Sequence, residues 1–138
     1  MKKNNEIRHG RYCTFLMHVH LVFVTKYRRE VFTQEILSEL LPIFSSVCKD
    51  FEAELVEFDG EDDHVHLLVN YPPKVSVSKL VNSLKGVSSH LIRKKNYPNI
   101  RKKLWGDALW SPSYFAGSCG GAPITMIRKY IEQQKTPA

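Results

Sequence analysis

Two histidines separated by one residue are the first candidates for chemistry in this chain. His64 and His66 lie in the run Asp63-His-Val-His-Leu-Leu68. Side chains two residues apart leave the same face of a β-strand, so both imidazoles can point toward one ligand. Imidazole nitrogens suit Mn²⁺ and Zn²⁺ better than Mg²⁺. The spacing indicates a candidate metal site, although two half-buried histidines that only hydrogen-bond to neighbours have the same pattern.

A tyrosine and a glutamine near the C-terminus form a second candidate set. Tyr130 and Gln134 are four residues apart, so they share one side of a helix. The amide oxygen of Gln134 could join two imidazoles around a cation. A free phenol has a pKa of about 10 and becomes a nucleophile at neutral pH only beside a cation or a base. The combination suggests cutting and joining of nucleic acid. Tyr130 taken alone also fits an aromatic residue at the edge of the apolar side of its helix.

A second pair of histidines has the same spacing. His18 and His20 lie in an earlier apolar strand. They could pack or hydrogen-bond beside the predicted hairpin of residues 53–70. They could also hydrogen-bond to the metal ligands of the other pair, or face DNA. We prefer His64 and His66 as metal ligands because acidic residues precede them and a tight turn presents them.

The charges of the chain are unevenly distributed. Its 138 residues include 20 Lys and Arg against 14 Asp and Glu, a net charge of +6. Residues 50–63 carry eight acidic side chains and no Lys or Arg, whereas residues 71–106 carry nine basic side chains and no acid. Such a basic stretch favours contact with a polyanion. A solvated helix face balanced by the acidic segment explains the charges equally well.

Aromatic residues follow the basic stretch. Trp105, Trp110, Tyr114 and Phe115 are interleaved in residues 104–115. Bases of single-stranded nucleic acid stack on such rings. The alternative, that the two tryptophans fill the core, is at least as well supported for each ring.

Composition limits the class of protein. A hydrophobic fraction of 43% and a charged fraction of 25% are ordinary for a globular protein, and the length suits one domain over residues 1–138. No apolar run approaches the roughly 20 residues that cross a bilayer, and the polar N-terminus is unlike a signal peptide. Three scattered cysteines fit reduced thiols. We therefore expect a cytoplasmic protein without membrane contact.

Hydrophobic periodicity predicts the element order β-α-β-β-α-β-α. The predicted elements are a long strand over 13–25, a helix over 34–49 that Pro42 should kink or split, hairpin strands over 53–59 and 64–70, a helix over 77–95 capped by Ser76 or Ser78, a strand over 113–117 and a helix over about 123–134. The first six match the α+β, ferredoxin-like (RRM-like) split βαβ plan, an antiparallel sheet with two helices on one face. The added last helix carries Tyr130 and follows a glycine hinge, Gly117–Gly121.

Several ordered segments of the chain resemble a known family. These segments are His20–Arg29, Asp63–Leu68, Leu84–Ser89, Leu104–Phe115 and Tyr130–Gln134. Together they are similar to the small single-tyrosine HUH (histidine–hydrophobic–histidine) transposases of IS200-like (IS200/IS605) insertion sequences. The likeness covers nearly the whole chain. Asp62 departs from the family pattern, which usually has a proline before Asp-His.

The resemblance implies a mechanism and the residues that perform it. His64, His66 and Gln134 would hold a divalent Mg or Mn ion. Tyr130 would attack a phosphate of single-stranded DNA, leaving a 5′-phosphotyrosine and a free 3′-OH that later rejoins strands without a nucleotide cofactor. The residues expected to contact DNA are Lys26, Arg28, Arg29, Lys85, Arg93, Lys94, Lys95 and Trp105.

The resemblance also implies partners. Proteins of this family recognise imperfect DNA hairpins at the ends of the element. They work as homodimers in which the tyrosine helix of one subunit completes the histidine site of the other. The glycine hinge fits such an exchange.

Three alternatives stay open on the sequence. A domesticated relative would cut chromosomal repeat hairpins with the same residues. A non-catalytic ferredoxin-like module would bind nucleic acid without a metal or a covalent adduct. A metallohydrolase without a covalent step would turn over its substrate and form no adduct.

Overall fold

A four-stranded antiparallel sheet with helices on one face organises the chain. The computed structural model describes residues 7–104, 108–118 and 124–134. The sheet contains β3 (His18–Val24), β4 (Glu54–Gly60), β5 (His64–Asn70) and β6 (Phe115–Ser118), and a small hairpin of β1 (Arg8–His9) and β2 (Thr14–Phe15) precedes it. The helices are α1 (Gln34–Asp50), α2 (Val77–Lys94), α3 (Pro98–Leu104) and α4 (Ile124–Gln133).

The strand order β4-β5-β3-β6 is that of the ferredoxin-like fold. Strand β5 lies between β3 and β4, which α1 connects, and β3 lies between β5 and β6. The predicted hairpin is also present, since β4 pairs antiparallel with β5 from Glu54 opposite Asn70 to Gly60 opposite Val65. The predicted α+β class and strand plan are confirmed.

Alternation along the two central strands gives the sheet two different faces. The core residues Val19, Leu21, Phe23, Val65, Leu67 and Val69 pack against α1 and α2. Burial of each such side chain stabilises the fold by about 1.5–3 kcal/mol. The residues between them point to the other side of the sheet. We call that side the histidine face; it carries His20, Val22, Val24, His64 and His66.

Side-chain caps fix the beginnings of the two long helices. Thr33 Oγ1 accepts a hydrogen bond from the Ile36 N–H at 3.2 Å, and Ser76 Oγ accepts one from the Lys79 N–H at 3.3 Å. Each cap contributes about 1 kcal/mol. Pro42 lies inside α1 and does not split it. In the described part of the chain, no helix combines the length and apolar character needed to span a bilayer.

One prediction of local structure was wrong, and one helix was not predicted. The strand expected over residues 13–25 is interrupted at residues 16–17, because Thr14–Phe15 pairs with Arg8–His9 instead of continuing the sheet. The short helix α3 begins at Pro98, in a stretch for which the sequence predicted no helix or strand. Proline is favourable in the first turn of a helix, and α3 buries Ile100 and Leu104 in the core.

Part of the expected hinge and one expected DNA contact lie outside the part of the chain that the structure describes. Gly117 lies in β6. Residues 119–121 of the hinge and Trp105 fall outside the described residues.

Candidate metal and nucleophile site

His64 and His66 lie next to each other on the histidine face of β5, as their spacing predicts. Their ring centroids are 4.9 Å apart, and the rings are nearly perpendicular at 82°. Val65 between them is fully buried in the core, so the pleat of the strand directs both histidines to the opposite face. The two histidines line an open cavity of about 750 Å³.

Asp63 fixes the orientation of the His64 ring. Asp63 Oδ1 lies 2.7 Å from His64 Nδ1, and Arg28 Nε lies 3.5 Å from Asp63 Oδ2. The hydrogen bond with His64, helped by the charges of His64 and Arg28, lowers the pKa of Asp63 although burial opposes the shift. When the carboxylate accepts the Nδ1 proton of a neutral His64 ring, Nε2 has its lone pair available for a ligand. That nitrogen lies 3.4 Å from Glu61 Oε2.

His20 on β3 lies beside His66. His66 Nδ1 and His20 Nε2 are 3.3 Å apart, and the ring centroids are 5.5 Å apart. Burial, followed by the charges of His64 and His20, lowers the pKa of His66 to about 4. Burial also lowers the pKa of His20. Both rings are therefore neutral at pH 7 and can offer a nitrogen lone pair.

The donor atoms at this end of β5 fit part of a divalent-cation site. In both His64 and His66, Nδ1 is within hydrogen-bond distance of a neighbouring side chain, which leaves Nε2 of each ring for a cation. Carboxylates add negative charge around the cavity; the acidic residues that line it are Glu30, Asp59, Glu61, Asp62, Asp63 and Glu132. Within the described residues, no three His, Cys, Asp or Glu side chains already surround one point as a metal site. A cation here would need a further ligand.

Helix α4 packs on the histidine face of its own sheet. Tyr130 and Ile131 contact the buried Val22 and Val24. The α4 residues that line the cavity with the histidines are Arg128, Ile131 and Glu132. Tyr130 and Gln134 project from another side of the helix, roughly 130° away at about 100° per residue. The structure therefore brings Tyr130 and Gln134 to the same face as the histidines without turning them toward the cavity.

The hydroxyl groups of two serines hydrogen-bond to Tyr130 of α4 and to Gln134, which directly follows α4. We call Ser111 and Ser113 the serine dock. Gln134 Oε1 accepts hydrogen bonds from Ser111 Oγ at 3.0 Å and Ser113 Oγ at 3.2 Å, while Ser113 Oγ lies 2.8 Å from Tyr130 Oη. Because Ser113 donates its only proton to Gln134, the phenol is the donor in the third bond. Burial raises the pKa of Tyr130, and the bond to Ser113 offsets only part of this. The docked phenol is therefore protonated.

Lys85 stabilises the serine dock by hydrogen bonds to the backbone of both serines. Its Nζ donates to the carbonyl oxygens of Ser111 at 2.6 Å and Ser113 at 3.1 Å. Burial lowers the pKa of Lys85 to about 8. The sequence suggested a DNA contact for Lys85, and the structure engages its ammonium with two carbonyls instead of leaving it extended into solvent.

One group of predicted DNA contacts lies beside the cavity. Lys26, Arg28 and Arg29 belong to the turn after β3, in which Tyr27 and Arg28 have φ values of 58° and 55°. Non-glycine residues rarely adopt this left-handed region. Thr25 stabilises the turn, since its Oγ1 donates to the Arg29 carbonyl at 2.7 Å. Arg28 lines the cavity.

A second group lies on the helical side of the sheet. Arg93 and Lys94 are in the last turn of α2, and Lys95 follows them, with its Nζ 3.1 Å from Glu39 Oε1. Because α2 packs on the core face, these residues are on the side opposite to the histidines. The open question about Trp110 is answered: it is buried, and its indole N–H donates to Ser88 Oγ at 3.0 Å.

The serine dock was not predicted from the sequence. Ser111 and Ser113 contact residues that are 23 and 17 positions away, and no local pattern announces such a contact. The role of Asp63 was also not predicted. Its position directly before His64 could have indicated a carboxylate that hydrogen-bonds to the His64 ring.

Comparison with known proteins adds the family. The chain matches the family model described as "Transposase IS200 like" over residues 13–134. It is 33% identical over 129 residues to the ISDra2 transposase TnpA of Deinococcus radiodurans, covering 94% of this chain and 91% of that protein. It is 31% identical over 115 residues to the transposase for insertion sequence element IS200 of Salmonella typhimurium, covering 83% and 74% respectively.

Solved structures agree with this comparison. A crystal structure of a candidate transposase from Deinococcus radiodurans R1 superposes with a TM-score of 0.84 at 30% identity, covering 94% of this chain and 99% of that one. A REP-associated tyrosine transposase bound to a REP hairpin has a TM-score of 0.55 at 13% identity, covering 91% and 70%, and shares the fold. Because the family match spans most of the sequence and the sequence relatives are similarly complete, the chain belongs to the IS200-like transposase family.

Proposed function

We propose that this chain cuts and rejoins single-stranded DNA through a covalent phosphotyrosine intermediate at a divalent-metal site. The main support is that α4, which carries Tyr130, packs on the sheet face that carries His64 and His66. The family supports the reaction class, a DNA-cutting and strand-joining transposase. Because its substrate would be chromosomal DNA, we expect the protein to act in the cytoplasm at the nucleoid.

Each residue of the proposed site has a separate task. His64, His66 and Gln134 would hold Mg²⁺ or Mn²⁺, and Asp63 would keep the Nε2 atom of His64 available. The bound cation would polarise the scissile phosphate and favour ionisation of a nearby phenol.

The strand cut would be a transfer of the phosphoryl group to tyrosine. Tyr130 Oη would form a bond to phosphorus while the bond between phosphorus and the 3′ oxygen breaks. The phenol would lose its proton and the departing 3′ oxygen would gain one. Since the phosphodiester is exchanged and not hydrolysed, a 3′-OH can reverse the step and rejoin strands without a nucleotide cofactor.

The docked helix cannot complete this site as it stands. Both lone pairs of Gln134 Oε1 accept from serines, and the Tyr130 phenol donates its proton to Ser113. Helix α4 would have to leave the serine dock before Gln134 could join the histidines. The family resemblance supports a homodimer in which α4 reaches the histidines of the other subunit.

A DNA hairpin is the proposed substrate. The hairpin-bound transposase that shares this fold supports that choice. Lys26, Arg28 and Arg29 would contact phosphates near the cut, because their turn borders the cavity. Arg93 and Lys94 lie on the helical side and would contact a different part of the DNA.

The decisive experiment is a covalent-adduct assay with Tyr130→Phe. A labelled single-stranded hairpin with Mn²⁺ should give a DNA-linked protein band that survives denaturant. We expect Tyr130→Phe to lose the adduct and cleavage but keep hairpin binding, because it removes one oxygen. Tyr12→Phe is the matched control, since Tyr12 is 88% exposed on the small N-terminal hairpin. Cleavage by the Tyr130 variant would exclude the mechanism, and metal-indifferent binding without any adduct would favour a binding module.

A further inference from the structure

We propose that His20 is a positioning residue that holds His66 with its Nε2 atom toward the cation, as Asp63 does for His64. The inference rests on the proposed metal site and assigns a task to the earlier His-x-His pair. His20 does not touch the substrate or the cation in this scheme. It acts through the ring of His66.

The hydrogen-bond geometry carries this inference. The 3.3 Å between His66 Nδ1 and His20 Nε2 leaves room for one proton between the two nitrogens. If Nε2 of His66 binds a cation, Nδ1 must carry the proton and donate it. His20 must then accept with an unprotonated Nε2. The pairing fixes one tautomer for each ring.

The sheet holds His20 rigidly enough for this task. Strand β3 is central, with His20 opposite Leu68 of β5 on one side and Gly117 of β6 on the other. Gly117 adds no side chain beside the imidazole. The ring of Phe115 lies 6.5 Å from it in an edge-on arrangement at 78°. His20 is therefore placed by the register of the strands and packed by an aromatic neighbour.

The two ligand histidines would then have equivalent supports of different chemistry. His64 donates its Nδ1 proton to a carboxylate at 2.7 Å, whereas His66 donates to a neutral imidazole at 3.3 Å. Partners of this kind commonly change metal affinity by about 10–100-fold when they are removed. The contribution of His20 should be near the lower end, because its bond is longer and uncharged.

The test is Mn²⁺ affinity of the full-length protein without DNA, measured by electron paramagnetic resonance of free Mn²⁺. We expect His20→Phe to weaken binding about tenfold, since it keeps a ring but removes the acceptor. His20→Gln keeps an acceptor oxygen and should recover most of the affinity. The matched control is His18→Phe on the same strand and face, which should leave Mn²⁺ affinity unchanged. Thermal unfolding of each variant reports whether the fold is retained.

The outcomes separate this inference from the proposed function. Wild-type affinity in His20→Phe would overturn the positioning role and leave the metal site intact, whereas loss as complete as in His66→Ala would make His20 a ligand instead. Full Mn²⁺ binding by His66→Ala would mean that the proposed metal site itself fails. If His20→Phe does not fold, nitrogen NMR of the wild-type protein with Mg²⁺ decides the question. A proton on His66 Nδ1 is expected, and a proton on His20 Nε2 would overturn the proposal.

Discussion

A single carboxylate determines which nitrogen of His64 can act. Asp63 is 8% exposed and lies between His64 and Arg28. A neutral imidazole offers one lone pair, so the atom that Asp63 engages decides where the other points. The proposed chemistry of the histidine face would thus depend on Asp63 and His20 as well as on the two candidate ligands.

Asp63→Asn should weaken Mn²⁺ binding by about 10–100-fold, because an amide no longer enforces the Nδ1–H tautomer with a negative charge. Binding would be measured by titration of Mn²⁺ into the purified protein. Asp62→Asn is the matched control, since Asp62 also lines the cavity but its carboxylate does not hydrogen-bond to His64, whose carboxylate partner at Nδ1 is Asp63. Equal losses in both variants would indicate a general effect of negative charge and not the orientation of His64.

At the scale of elements, the position of α4 depends on a short segment that carries no regular structure of its own. Ser111 and Ser113 lie between the Trp110 bridge to Thr25 and β6. The backbone N–H of Ser111 donates to the Val24 carbonyl at 2.8 Å, and Lys85 holds both serine carbonyls from α2. The serine dock is therefore anchored to β3 and α2, and α4 is fastened to it by side chains.

Ser113→Ala should loosen α4 while leaving the core intact, because it removes the bonds to Tyr130 Oη and Gln134 Oε1. The loss of about 1 kcal/mol of net hydrogen bonding predicts roughly fivefold faster amide hydrogen exchange in α4. The comparison variant is Ser38→Ala, which removes a hydroxyl that donates to the Gln34 carbonyl of α1. Unchanged exchange in α4 would show that apolar packing on Val22 and Val24 alone fixes the helix.

At the scale of the whole molecule, the question is which histidines the tyrosine helix serves. In this structure α4 covers the histidine face of its own chain, with its cavity-lining side chains different from Tyr130 and Gln134. The family resemblance predicts exchange of the helix between two subunits. In either arrangement of the proposed site, α4 would have to leave the serine dock before Gln134 could join the histidines.

Mixing two inactive variants distinguishes the arrangements. One subunit carries Tyr130→Phe and the other carries His64→Ala with His66→Ala. We expect the mixture, after subunit exchange, to regain part of the covalent adduct, because the intact tyrosine of one chain meets the intact histidines of the other. The adduct should form only on the chain that retains Tyr130. No adduct after verified exchange would instead place each tyrosine with the histidines of its own chain.

Features that depend only on residues close together in the chain were predictable from the sequence. Alternation with buried Val65 and Leu67 directed His64 and His66 to one face, Thr33 and Ser76 set helix starts, and periodicity gave the ferredoxin-like order of strands and helices. The i, i+4 spacing also put Tyr130 and Gln134 on one side of α4. The misjudged elements, the split first strand and α3, depend on pairing with Arg8–His9 and on burial of Ile100, which local propensity does not encode.

Contacts between residues that are far apart in the chain depend on the tertiary structure. His20 reaches His66 across 46 positions because β3 and β5 pair in one particular register. A shift of either strand by one residue would turn the histidine of that strand to the core face, away from the other histidine. The serines meet α4 because Lys85 and Val24 hold their segment in place. Sequence spacing identifies which side chains share a face of one element. Contact between elements depends on strand register, helix rotation and packing, and these are fixed only in the folded chain.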